Sequence, residues 1–189
     1  MPAVVDGRFL ADIAVFGGLR DDVRDFIAGC VREVRFAGPS PVVGEGDLAR
    51  EMFLVREGEL EVCKKGMSGE LVRLAVLRAG DCMGEMSLID IQPRSASVRT
   101  LGPATLLVLS NADLAQLFRT DPESYTLLVL NIAREISRRL RRADELLAEM
   151  MRAAQALWSR TQAHAQAHAQ QAKERAEKTA PVKRRRRRA

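Results

Sequence analysis

Residues 80–98 hold the side chains with the clearest capacity for chemistry in this chain. Gly84 can bring the backbone close to a bound molecule, because glycine has no Cβ. The amides of Met86 and Ser87 begin a short helical turn, and the unpaired N–H groups at the start of a helix favour an anion. Arg94 adds a permanently charged guanidinium that can donate to two phosphate oxygens. The stretch therefore predicts a phosphate-binding site.

Two neighbouring side chains extend the predicted site towards a sugar. Glu85 accepts hydrogen bonds when it is ionised, and ribose hydroxyl groups can donate them. Ser95 places a further hydroxyl beside Arg94. Together these residue types predict a pocket for a compact sugar-phosphate anion.

The elements that must position these residues are short strands. Glycine turns separate the apolar runs between residues 36 and 110, and alternation within the runs is typical of half-buried strands. Many short, evenly spaced strands indicate a double-sheet or closed antiparallel barrel. The predicted strands cover residues 52–55, 60–63, 71–77, 95–100 and 105–109.

Helical patterns flank the predicted strands. Residues 10–36 carry apolar clusters at helical spacing. Ser110, with Asp113 three residues later, predicts the N-cap of a short helix. Residues 121–123, Asp-Pro-Glu, predict the start of a longer helix that continues without glycine or proline to about Gln171.

The long helix carries apolar residues in a heptad pattern over four heptads. Such a run favours packing against a second helix, most simply in a parallel homodimer. The alternative is a single amphipathic helix packed on its own barrel. The pattern is formed by Val129, Ala133, Ile136, Leu140, Ala143, Leu147, Met150, Ala154 and Leu157.

The two motifs of the predicted site resemble a known family pattern. Residues 84–88, Gly-Glu-Met-Ser-Leu, followed by residues 94–98, Arg-Ser-Ala-Ser-Val, resemble the phosphate-binding cassette of cyclic nucleotide-binding domains. Ala96 occupies the alanine position of that pattern, and Met83 stands where the family usually has phenylalanine. Residues 45–62 are similar to the early strands of the family, so that the resemblance spans roughly residues 16–145.

The resemblance implies a fold class and a domain organisation. The expected fold is mainly β with α, a double-stranded β-helix or jelly-roll barrel with flanking N-terminal helices and a long C-terminal dimerisation helix. The expected divisions are residues 1–120 for the barrel and its N-terminal helices, 121–171 for the dimerisation helix, and 172–189 for a disordered basic tail.

The resemblance also implies a role for each residue of the cassette. Arg94 and the amides of Met86 and Ser87 would hold the cyclic phosphate. Ser95 would add a hydrogen bond to it, and Glu85 would accept from the ribose 2′-hydroxyl.

The expected base-binding wall is apolar. The family layout puts Val62 and Leu74 against the base. Asp144 stands where the catabolite activator has hydroxyl side chains, and it could accept from adenine N6 or from guanine N1 and N2. We expect cAMP as the ligand in preference to cGMP.

We expect no enzymatic activity and no cofactor. The only two histidines, His164 and His168, lie beyond the predicted barrel, so the barrel contains neither a histidine-ligated metal site nor a Ser-His or Cys-His pair. They are four residues apart on a helix, but their Ala/Gln surroundings favour two solvated side chains over a metal pair.

The charge of the chain is concentrated at its C-terminal end. Residues 183–188 carry six of the positive charges behind the formal net charge of +5, so the remainder is nearly neutral. We expect Lys183 to Arg188 to contact polyanions nonspecifically and in a salt-sensitive way.

Three cysteines without metal-ligand spacing favour reduced thiols and a cytoplasmic protein. The N-terminus lacks a signal-peptide pattern, and no run approaches the ~20 apolar residues of a membrane span.

Together these expectations predict a sensor protein. It would signal whether ligand is bound, through a dimeric C-terminal helix, to a separate downstream protein. No helix-turn-helix pattern follows the long helix, so we do not expect sequence-specific operator binding. Two alternatives stay open: a ligand-free structural or assembly protein that uses the coiled coil and the Arg-rich tail, and a nonspecific nucleic-acid-associated regulator.

Overall fold

The computed structural model of the protein describes residues 5–90 and 92–179, without the side chains of 165, 167–169 and 172–179. The chain divides into two compact units, one ending at Arg138 and the other beginning at Arg139. The basic run of the expected tail, residues 183–188, lies outside the described residues.

The first unit contains two antiparallel sheets of four strands each. One sheet has the strand order β1-β8-β3-β6 and the other the order β2-β7-β4-β5. The strands are β1 Arg32–Phe36, β2 Pro41–Val43, β3 Glu51–Glu57, β4 Leu60–Lys65, β5 Leu71–Leu77, β6 Cys82–Met83, β7 Ser97–Thr100 and β8 Ala104–Ser110.

Four α-helices and two 3₁₀ turns flank these strands. The helices are α1 Gly7–Ala11, α2 Asp21–Cys30, α3 Asn111–Thr120 and α4 Pro122–Thr179, and the 3₁₀ turns are Ala14–Phe16 and Glu85–Leu88. Ser110 and Asp113 form a reciprocal capping box at the start of α3, which confirms the predicted N-cap.

Alternation along β3 separates two hydrophobic clusters. Met52 and Leu54 belong to a cluster that includes the helices, whereas Phe53 and Val55 belong to a cluster lined by both sheets. The first sheet is therefore covered by helices on one face and by the second sheet on the other. The predicted jelly-roll barrel with flanking helices and a long C-terminal helix is confirmed.

The first turns of α4 belong to the barrel unit. Leu128 and Ile132 are fully buried in the cluster that contains the helices, while Ala133, a predicted heptad position, is exposed. The domain's own core therefore covers the helix face that carries Leu128 and Ile132, and Ile136, a predicted heptad position, packs against the same cluster. The first unit consequently extends to Arg138, beyond the expected boundary at residue 120.

The second unit consists of the remainder of α4, from Arg139. Its described side chains are mostly exposed, and the helix continues to Thr179, beyond the expected start of the tail at residue 172. Its exposed large apolar side chains are Leu140, Leu146, Leu147, Met150, Met151, Leu157 and Trp158. Within residues 5–90 and 92–179, no helix combines the length and the hydropathy that crossing a membrane requires.

Candidate phosphate-binding site

A left-handed glycine joins β6 to the second 3₁₀ turn. Gly84 has a φ of 76°, a conformation that side chains with a Cβ rarely adopt. A Cβ at this position would lie 2.9 Å from the Glu51 carbonyl oxygen and would collide with the Arg94 guanidinium. Glycine is therefore required here for two reasons, the backbone conformation and the close approach of Arg94.

Arg94 is held at its backbone and at its side chain. Its N–H donates to the Asp47 carbonyl at 2.8 Å, and its carbonyl accepts from the Gly46 N–H at 2.9 Å. Its Nη2 donates to the Glu51 carbonyl at 2.7 Å, and its Cζ lies 5.5 Å from the centroid of the Phe53 ring. The turn before β3 and the first half of β3 thus fix the position of the guanidinium.

The Arg94 guanidinium is a partly buried cation. Burial lowers its pKa from the ordinary arginine value, while the carboxylates of Glu51, Glu85 and Asp47 act in the opposite direction. The side chain stays charged at neutral pH, because an arginine pKa lies so far above it. Its Nε is buried and has no hydrogen-bond partner among the residues that the structure describes. One buried N–H group of this fixed cation is therefore left without a hydrogen bond among the described residues.

Gly84 leads directly into the 3₁₀ turn, which holds the predicted cassette residues Glu85, Met86 and Ser87. Glu85 is only 3% exposed, whereas the Met86 side chain is exposed. The Ser87 hydroxyl donates to the Gly84 carbonyl at 2.6 Å, and the Ser87 N–H donates to the same carbonyl at 3.2 Å. The Ser87 amide is thus engaged within the turn, and this geometry does not support its predicted phosphate contact.

The segment after Arg94 is tied to β4. The side chain of Ser95 is exposed, Ala96 is half-buried, and the Ser95 carbonyl accepts from Lys64 Nζ at 2.9 Å. Lys64 Nζ also lies 3.6 Å from the Glu45 carboxylate. The sequence analysis did not identify Lys64. Lys64 and Val62 are two residues apart on β4, so their side chains lie on the same face of the strand.

The two predicted base-wall residues differ in burial. Val62 is half-buried and packs against the cluster between the sheets, whereas Leu74 is 56% exposed. Val62 pairs with Ala75 and Cys63 pairs with Arg73, so the pairing register shifts at Leu74. At this register shift, the side chain of Leu74 does not follow the regular alternation of side chains between the two faces of β5.

Asp144, the last predicted contact, is an exposed residue of the second unit. Its contact with a base therefore stays a prediction. His164 is exposed, and the described part of the chain holds no group of three or more side chains suited to a metal ion.

Comparison with known proteins assigns the region that contains this site to a family. The family model described as "Cyclic nucleotide-binding domain" matches residues 33–121, from β1 to the end of α3. Through this region the chain belongs to the cyclic nucleotide-binding domain family. The matched region contains Gly84 and Arg94, with the turn and the strands that hold them.

One curated relative of this family member is the cyclic AMP receptor protein of Thermus thermophilus. It is 32% identical over 130 residues, which cover 69% of this chain and 58% of the relative. The chain thus spans less than two thirds of that relative's length.

Two solved structures are similar to this one. The Thermus thermophilus catabolite activator protein has a TM-score of 0.64 and 31% identity, over 72% of this chain and 62% of that chain. A cyclic nucleotide-binding domain from Methylobacillus flagellatus has a TM-score of 0.70 over 79% of this chain and 88% of that chain, and at 24% identity it shows the fold alone.

Proposed function

We propose that this protein is a cyclic-nucleotide sensor that binds cAMP in preference to cGMP and passes ligand occupancy through a dimeric C-terminal helix to a separate partner. The observation that carries the proposal is the Arg94 guanidinium, which is fixed beside the Gly84 turn with its buried Nε unpaired among the described residues.

Each group of the proposed ligand has a suitable counterpart in the cassette. Arg94 and the Met86 amide would hold the cyclic phosphate, because both present N–H donors and Arg94 adds a full positive charge. The hydroxyl of Ser95, which is exposed, would donate to the same phosphate. Glu85 would accept from the ribose 2′-hydroxyl, since an ionised carboxylate is an acceptor only.

The preference for cAMP rests on the name of the curated relative, a cyclic AMP receptor. Val62 and Leu74 would face the base through apolar contacts, which do not by themselves distinguish adenine from guanine. Asp144 would add the polar contact, as an acceptor from an exocyclic amine.

The second unit supports a parallel homodimer. Its exposed heptad residues begin at Leu140 and end at Leu157. In a parallel pair each g position faces the following e position of the other copy. Arg139 would then face Asp144, Leu146 would face Met151, and the small Ala153 would face the large Trp158. Charge and size are therefore complementary in this register.

Within the first unit, two contacts support a route from the cassette to α4. Asn111 Nδ2 at the start of α3 donates to the Ser87 carbonyl at 3.1 Å. The rings of Phe118 and Tyr125 then pack edge to face across the junction of α3 and α4, with centroids 5.2 Å apart. A ligand that binds more tightly to one position of the Glu85–Leu88 turn would also favour the matching positions of α3 and α4. The size of this population shift is set by the difference in ligand affinity between the two positions of the turn.

Titration calorimetry of the full chain with cAMP, cGMP and 5′-AMP tests the proposal. We expect cAMP to bind most tightly and Arg94→Ala to abolish binding. Arg35→Ala is the matched control, because Arg35 is an exposed arginine of β1 whose partner Glu33 retains Arg56. Absence of binding to all three nucleotides, with the fold intact, would contradict the proposal and favour the alternative of an assembly protein that uses the coiled coil and the Arg-rich tail.

The cytoplasm stays the expected compartment, since Cys30, Cys63 and Cys82 form no disulfide among the described residues. Nonspecific polyanion contact by Lys183 to Arg188 stays a proposal too. Retention on DNA that weakens with salt and disappears when residues 183–188 are deleted would support it.

A further inference from the structure

The Arg94 guanidinium lies over an aromatic ring. Its Cζ is 5.5 Å from the Phe53 centroid, within the range at which the face of a ring attracts a cation. Glu51, two residues earlier on β3, accepts from Arg94 Nη2 at 2.7 Å. One strand therefore makes two different contacts with the guanidinium, one through a ring and one through a backbone carbonyl.

Phe53 is itself held firmly. It is buried in the cluster between the sheets and pairs with Val108 on one side and with Met83 on the other. Met83 is the last residue of β6, directly before Gly84. The same β3–β6 pairing thus places the ring of Phe53 and the start of the Gly84 turn next to each other.

A ring is suited to this position because of the way it stabilises charge. Burial of the guanidinium disfavours its charged form, and a carboxylate contact would compensate only by occupying its N–H groups. An aromatic face attracts the cation through its π electrons and occupies no N–H group. The Nε–H of Arg94 therefore remains without a hydrogen-bond partner among the described residues.

We propose that Phe53 is a positioning residue for anion binding, whose ring holds the charged Arg94 guanidinium beside the Gly84 turn and leaves its Nε–H for a phosphate oxygen. The effect on binding rests on the proposed function, whereas the stacking itself can be tested without a ligand. Aliphatic residues at position 53 fill the core but do not attract the cation.

Fluorination separates the electronic role of Phe53 from its packing. Fluorine atoms on the phenylalanine ring withdraw charge from the ring face and change its size little. We expect the cAMP affinity of the full chain to fall stepwise with 4-fluoro-, 3,5-difluoro- and 3,4,5-trifluorophenylalanine at position 53, by about 2-fold to 30-fold in total. The same series at Phe36, which packs against the same cluster, is the matched control and should leave affinity unchanged.

The ligand-free protein provides the second readout. We expect the Arg94 Hε resonance to be shifted upfield by the ring current of Phe53, and Phe53→Leu to remove that shift. Absence of the shift would overturn the stacking. Binding that fluorination does not weaken would overturn the role of Phe53 alone. Absence of nucleotide binding by the unmodified chain would overturn the proposed function, while the Hε resonance would still decide whether Phe53 positions Arg94.

Discussion

Asn111 Nδ2, at the first residue of α3, donates to the carbonyl oxygen of Ser87 at 3.1 Å. The two residues are far apart in sequence, and the bond joins the turn beside Arg94 to a helix. The Asn111 N–H also donates to the Arg50 carbonyl at 3.0 Å, so the start of α3 is attached to the residue just before β3 as well. The cassette turn and the flanking helix therefore cannot move independently without breaking this bond.

Asn111→Ala should weaken cAMP binding and destabilise the fold. It removes the amide donor to a partly buried carbonyl, which costs about 1–2 kcal/mol in the free energy of unfolding. Urea denaturation and calorimetric titration measure the two effects. Gln116→Ala, an exposed change on the same helix, is the control and should alter neither. Unchanged affinity in Asn111→Ala would show that this bond does not support the cassette.

Gly84→Ala should destabilise the protein more than Gly69→Ala. Both glycines have positive φ, 76° and 88°, so both substitutions carry a conformational cost of about 1–2 kcal/mol. Only position 84 also has the Glu51 carbonyl and Arg94 within reach of a new Cβ, since a Cβ at position 69 would have no neighbour within 4 Å. We expect Gly84→Ala to weaken nucleotide binding by at least about tenfold, because the methyl group displaces Arg94, and Gly69→Ala to leave it unchanged. Equal effects of the two substitutions would remove the case for close approach at Gly84.

Asp121 should contribute to stability in a pH-dependent way. Hydrogen bonds from Ser124 and the ion pair with Arg20, whose Nη2 lies 2.7 Å from Asp121, lower the pKa of the carboxyl below its ordinary value. A group with a lowered folded-state pKa stabilises the fold above its unfolded pKa near 4, and the contribution disappears as the pH falls through the folded pKa.

Asp121→Asn should therefore reduce the free energy of unfolding near pH 7, and the difference from the wild-type chain should shrink as the pH falls below the unfolded pKa of about 4. Urea denaturation across this range measures the difference. Asp90→Asn, an exposed change on the cassette side, is the control. A difference that stayed constant with pH would contradict the linkage to Asp121 ionisation.

Leu147→Glu should dissociate the proposed dimer. Leu147 is an exposed heptad residue of the second unit, and in a parallel pair the two glutamates would meet at the seam without a compensating charge. We expect the dimer dissociation constant to rise by about 100-fold or more, measured by sedimentation equilibrium. Ala148→Glu adds the same charge at the neighbouring residue, which lies outside the seam in this register, and should have a smaller effect. A monomeric wild-type chain would contradict the dimer outright.

The sequence by itself determined the parts of the protein that depend on neighbours in the chain. The Gly84 turn, the Ser110 cap and the start of α4 at Pro122 are local, because a positive φ, a capping side chain and a proline act on their own backbone. The cassette motif was readable for the same reason, since Gly84, Glu85, Arg94 and Ser95 lie within one short stretch.

Only the tertiary structure decided which distant residues support that stretch. Phe53 lies under Arg94, and Lys64 contacts Ser95, because strand pairing brings together segments whose separation in the chain carries no pattern. The face of α4 that is buried was decided in the same way. Val129 and Leu128 are both apolar, and the position of the barrel core, not the heptad spacing, selected Leu128. A periodic sequence thus defines an apolar helix, but the residues that it meets depend on the packing of the whole domain.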